Sequence, residues 1–184
     1  WSDAYTDLDA ALRSEHLFSE VWVAKGTYKP GILRPAAFLL PPDVPVYGGF
    51  VGTEVSREGR NVIVNITILS GDLGASGVTA DNAYHIVIPA NGSTLDGFTI
   101  QNGNASENYA DDRGRGGALW AEKVTFALSN CIFASNFAND RGGAVFLNDA
   151  NATFTSTTSF DYTTASGESV IGIGCDYFEG HSGR

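Results

Sequence analysis

Arg115-Gly116-Gly117-Ala118-Leu119-Trp120 is echoed 26 residues later by Arg141-Gly142-Gly143-Ala144-Val145-Phe146. A second echo links Leu95-Asp96-Gly97-Phe98-Thr99-Ile100 to Leu128-Ser129-Asn130-Cys131-Ile132-Phe133, spaced by 33 residues and without a gap. Self-similarity at a period of about 20–50 residues is the mark of stacked repeats. One such unit cannot bury its apolar face alone, so its neighbours supply the core.

Around these echoes lie short apolar runs: Val21–Tyr28, Ala37–Leu40, Val44–Phe50, Val62–Leu69, Tyr84–Ile88, Thr94–Gln101, Ala118–Ala121, Val124–Phe133, Ala144–Leu147, Ala152–Phe160 and Val170–Ile173. Gly, Asn, Asp and Pro separate them, as expected of strands joined by turns. Only residues 3–16 suggest a helix: Ala4, Leu8, Ala11 and Leu12 share one face, and Asp3, Asp7 and Asp9 crowd the first turns.

The expected fold is therefore all-β: a single-domain right-handed parallel β-helix, a solenoid with a short N-terminal capping helix. Residues 1–20 form the cap, 21–178 make roughly six or seven turns, and 179–184 are a frayed tail. Stacked turns predict ladders along the axis, with Trp120 over Phe146, Ile100 over Phe133 over Phe160, and Phe98 over Cys131. Asn102–Asn104 and Asn136 fall at corners, where Asn tolerates left-handed backbone. The loop Asn104–Gly114 and residues 70–82 are expected to be insertions.

Composition narrows the function. Charged residues make up 17% of the chain, against about 25% in ordinary soluble domains, and 22 glycines take up part of the difference. The net charge of −10 and the lack of a basic run argue against nucleic acid or an anionic membrane as partner. No apolar run approaches the ~18 residues of a spanning helix. The chain begins at Trp1 and contains no Met, as expected of a processed form or a piece of a longer protein. Cys131 and Cys175 form no zinc pattern, and whether they pair is left open.

These residues resemble the secreted bacterial right-handed β-helix repeat proteins of the pectate-lyase-like superfamily. They are most similar to the GGA/FxxN repeats of the polymorphic outer-membrane protein type. Gly116-Gly117-Ala118, Gly142-Gly143-Ala144 and Phe133-Ala134-Ser135-Asn136 carry the likeness. Val21–Tyr28, Val46–Glu54, Thr67–Asp72 and Leu95–Ile100 extend it over roughly residues 1–165. The third repeat, 152–167, lacks the asparagine, and Glu168-Ser169 replaces the next Gly-Gly.

The resemblance implies an extracellular or outer-surface location. It also implies either a scaffold or adhesion module, part of a larger protein, or a polysaccharide-active enzyme or carbohydrate-binding module. The first reading needs an extended face that meets a polysaccharide or a host-surface ligand. The second needs converging charged groups.

A lyase on this fold needs a base and charge neutralisation at a uronate carboxylate, often through calcium. Arg115 and Arg141, stacked by the repeat, with Asp112 and Asp140 beside them, are the catalytic candidates. The bland reading of the same residues is a solvated corner of Arg–Asp pairs. For a glycosidase pair the candidates are Asp72, Asp81, Asp96, Asp111 and Asp112. Asp72 and Asp81 in a Gly-rich loop are the calcium candidates, although the loop lacks an EF-hand pattern. Tyr28, Tyr47, Tyr84 and Tyr109 could stack on sugars, and Tyr109 is the one placed on a protruding loop and is the ligand-binding candidate. His16, His85 and His181 read as structural. The Asn-X-Ser/Thr sites at Asn65, Asn91, Asn104 and Asn151 are expected to be bare in a bacterial protein.

Overall fold

The computed structural model describes residues 1–14, 18–107, 112–155, 158–161, 164–165 and 171–174. Short strands follow one another as the apolar runs demand. The first turn holds β1 (Val21–Ala24), β2 (Gly26–Tyr28) and β3 (Phe38–Leu39). The second holds β4 (Pro45–Phe50), β5 (Thr67–Ser70) and β6 (Val87–Ile88). The third holds β7 (Thr94–Asp96), β8 (Thr99–Gln101), β9 (Asn104–Ala105) and β10 (Leu119–Glu122). The fourth holds β11 (Thr125–Ser129), β12 (Ile132–Ala134), β13 (Phe137–Ala138) and β14 (Val145–Asn148). The last holds β15 (Asn151–Thr155), β16 (Ser159–Asp161), β17 (Thr164–Ala165) and β18 (Ile171–Gly174).

Three sheets run β1-β4-β7-β11-β15, β2-β5-β8-β12-β16 and β3-β6-β10-β14-β18, with β9-β13-β17 as a short fourth. Strand pairing is parallel throughout the described residues. The chain visits the sheets in the same order on each turn, so the rest of the turn serves as the crossover that parallel pairing requires. This all-β, parallel architecture is compatible with a parallel β-helix.

The expected ladders are present. Trp120 pairs with Phe146, and Ile100 with Phe133 and then Phe160. The Phe133 and Phe160 rings stack at 5.1 Å. Phe98 and Cys131 are both buried. A longer interior column runs Val21, Val46, Leu95, Leu128, Phe154 through the first sheet.

The two glycines of each GGA phrase have different reasons to be glycine. Gly116 and Gly142 adopt φ of 64° and 63°, the left-handed region that glycine enters without steric cost. Gly117 sits where backbones meet: a Cβ there would run into the carbonyl oxygens of Phe137 and Gly143.

Four expectations need correcting. Each of the three main sheets stacks five strands over the described residues, and the second turn spends 49 residues between Val46 and its partner Leu95. Its excursions cover 51–66 and 71–86, and the strand expected from Val62 starts only at Thr67. Asn61 is the reason. Its Oδ1 accepts the amides of Ile63 and Val64, both at 3.1 Å, closing a local turn and taking them out of any ladder.

The helix, α1 (Leu8–Leu12), is five residues long and does not span 3–16. Asp7 caps it by accepting the amides of Asp9 and Ala10, so Asp3 lies outside; Leu8 and Leu12 join the core. Asn136 is not left-handed; Ser135 is, at φ 54°. Asn136 instead spans two turns, accepting from Gly103 N and donating to Ile100 O, each at 2.9 Å. Finally, the loop expected from Asn104 opens with strand β9, which pairs with β13. The tail 179–184 and Glu168-Ser169 lie outside the described residues, but β18 still pairs with β14, so the stack continues past the imperfect third repeat.

Phe133 is fully buried in its column. Phe133→Ala is expected to cost about 3–5 kcal/mol in a reversible denaturant melt; a loss under about 1 kcal/mol would mean that the ring contributes little to the core.

Candidate functional site

The repeat register brings Arg115 and Arg141 to one corner, and Asp140 takes both. Arg115 Nε lies 2.7 Å from Asp140 Oδ2, and Arg141 Nε lies 3.6 Å from Oδ1. Asp140 is only 8% exposed, and its amide donates to Gly114 O. Arg115 also lies over the Phe146 ring at 5.3 Å. The corner is thus less solvated than expected: Arg141 reaches into water, while the Arg115–Asp140 pair is largely sunk. Asp112 begins a short 3-10 turn, Asp112–Gly114, and is exposed; it forms no ion pair with either arginine among the described residues. Asp111 and Tyr109 lie outside the described residues, as do His16, His181 and Cys175.

Asp96, the least loop-like carboxylate, faces outward on β7. Oδ2 takes Arg60 Nη2 at 2.8 Å, and Oδ1 takes Asn130 Nδ2 at 2.8 Å. Arg60 also donates to Gly48 O and Asp96 O, and it shares the Tyr47 ring with Arg57, each at 5.0 Å. This group is a clasp that holds the 51–66 excursion against the first sheet.

A matching clasp sits at the other excursion. Arg34 donates to Asn82 O, Asn104 O and Ser106 Oγ and stacks over Tyr84 at 4.1 Å. Tyr84 donates to Glu107; that bond, aided by burial, raises its phenol above the usual range. Tyr28 donates to Ala24 O, and burial raises its phenol as well. His85 meets Gly116 O through Nδ1 at 2.9 Å and stacks on Trp120.

Asp72 and Asp81 both turn into their own loop. Asp81 Oδ2 accepts from Ala75 N at 2.9 Å, and Asp72 Oδ2 from Gly77 N at 3.4 Å. The Oδ1 atom of each is buried without a hydrogen-bond partner. Calcium takes about six to eight oxygens. Among the described residues no third His, Cys, Asp or Glu joins these two.

A further feature comes from residues that no motif singles out. A cavity of about 600 Å³ opens between the N-terminal segment and β1. Trp22 stacks on Phe50 at 4.8 Å, and Trp1 leans on Phe50 at 5.7 Å and donates Nε1–H to Glu54 O. Tyr5, Phe18 and Tyr28 complete an aromatic wall, and Asp3, Asp7, Glu20 and Glu54 bring carboxylates.

Not all of these carboxylates are available. Burial pushes Glu54 up, but the amides of Val51, its own residue, Gly52 and Thr53 outweigh this and hold its carboxyl below the usual range. Glu20 accepts Trp22 Nε1–H at 2.7 Å and lies 3.5 Å from Arg57. The signal was present in the sequence: Trp1, Tyr5, Phe18, Trp22 and Tyr28 crowd into 28 residues, with Asp3, Asp7, Asp9 and Glu20 among them.

No protein-family model, curated protein or solved structure matches the chain.

Cys131 is a free, buried thiol whose pKa burial pushes up to about 12. In a Cys175→Ser background it is expected to resist a thiol reagent near pH 8 until the protein unfolds. The unfolded thiol ionises near 9.0. Its contribution to stability is therefore complete below that pH and is lost as pH climbs toward the folded value. Denaturant midpoints for wild type and Cys131→Ala, compared at about pH 8 and about pH 10.5, should show a steeper alkaline fall in wild type.

Proposed function

We propose that the chain is a right-handed parallel β-helix of the pectate-lyase-like type, acting as a non-catalytic scaffold and adhesion module within a larger extracellular or surface-displayed protein. The observation that carries this reading is Asp140. It is mostly buried and pairs with Arg115 of the turn before, so that arginine is spent on joining turns. A lyase base has to be free to take a proton from bound substrate. Asp96 is likewise engaged through both oxygens.

The test is a cleavage screen on neutral and acidic polysaccharides, with and without calcium. No cleavage is expected; turnover lost in Arg141→Gln would overturn the reading, because that side chain is half exposed and has little structural work to do. Stability separates the two arginines. Arg115→Gln leaves a buried carboxylate short of its main partner and should cost about 1–3 kcal/mol. Arg141→Gln should stay within about 0.5 kcal/mol.

A further inference from the structure

We infer that the cavity beside β1 is a docking site for an extended, cationic peptide segment, which would add to the first sheet as a strand alongside β1. The inference is independent of whether the GGA corner is catalytic. Three observations lead to it.

First, the cavity runs along a strand edge. Val21, Trp22, Val23 and Ala24 all line it, although successive side chains of a strand point to opposite faces. Consecutive residues from both faces border one space when that space lies beside the strand. β1 ends its sheet, with β4 on its other side. Among the described residues, no main-chain hydrogen bond joins residues 1–20 to β1. An open edge of this kind is a template for strand addition.

Second, among the described residues the side chains that line the cavity carry charge of one sign: four carboxylates and no Lys, Arg or His. Glu54 and Glu20 are engaged within the protein, but Asp7 uses only Oδ1 for its cap, and Asp3 is exposed. A cationic partner would find these acceptors in a protein of net charge −10.

Third, Trp1, Tyr5 and Phe18 are each more than a third exposed at this site. Aromatic faces beside carboxylates suit lysine or arginine side chains, through cation–π contact and packing of their aliphatic stems. β1 is four residues long, so the added segment would pair over about 13 Å.

The test uses the 184-residue chain and a labelled hexapeptide of alternating valine and lysine. Binding is read by anisotropy, and hydrogen exchange is read at Val21–Ala24. The expected result is saturable binding that slows exchange in β1. It should weaken at least tenfold when alternate peptide amides are N-methylated, and at least tenfold when glutamate replaces lysine. Asp3→Lys should weaken it several-fold; Asp3 makes no hydrogen bond or ion pair among the described residues, so the fold should survive, which circular dichroism checks.

Undiminished binding of the N-methylated peptide would overturn strand addition. Equal binding of the glutamate peptide would overturn the cationic preference. Binding of neutral or amino-sugar hexasaccharides in place of the peptide would overturn the proposal in favour of a saccharide site. Self-association that closes the cavity, seen as slowed β1 exchange at high protein concentration with no peptide bound, would assign the edge to a second copy.

Discussion

Interior side chains of successive turns stack in register on their counterparts, and this stacking is the constraint on which the rest of the molecule depends. The column Val21, Val46, Leu95, Leu128, Phe154 shows how it works: no turn closes its own core, and each borrows its neighbours to do so. A strand that slipped by one residue would send its whole interior set outward. Register is therefore held at the corners as well as in the sheets. Gly117 allows two backbones to approach, Asn136 reaches across to the turn before it, and the sunk Arg115–Asp140 pair ties consecutive GGA phrases together.

The excursions obey a different rule. Among the described residues, 51–65 and 72–82 make no main-chain hydrogen bond to a neighbouring turn, so the ladders do not hold them. Arg60 and Arg34 do so, each gathering two backbone carbonyls and resting on a tyrosine. A planar guanidinium with five donors suits this role, because one side chain can satisfy carbonyls that loops leave without a strand partner.

What could be read from the sequence follows the same division. The GGA and strand echoes yield parallel pairing, the Trp120–Phe146 step and the Ile100–Phe133–Phe160 column, because a repeat carries its own register. Non-repeating parts were legible only where local chemistry was read residue by residue. Asn61 diverts an apolar Val62-Ile63-Val64 run into a turn, and Asp7 shortens a helix that periodicity alone would extend. The cavity escaped notice because its walls come from three separated stretches: the first residues, β1 and Glu54-Val55. The arginine ladder and the aspartate between its members are legible in the repeat, but the burial of Asp140 at the Gly114 corner is not encoded by spacing.

The 49-residue second turn carries a lesson about tolerance. Doubling the length of a closed loop costs only about 0.6 kcal/mol in chain entropy. A stack whose rungs are fixed by their neighbours can therefore accept long insertions at its corners with little thermodynamic consequence. Such corners offer room for change: segments there can lengthen, shorten or be exchanged while the columns beneath keep their register. The chain divides accordingly into an axis that resists substitution and a perimeter open to variation.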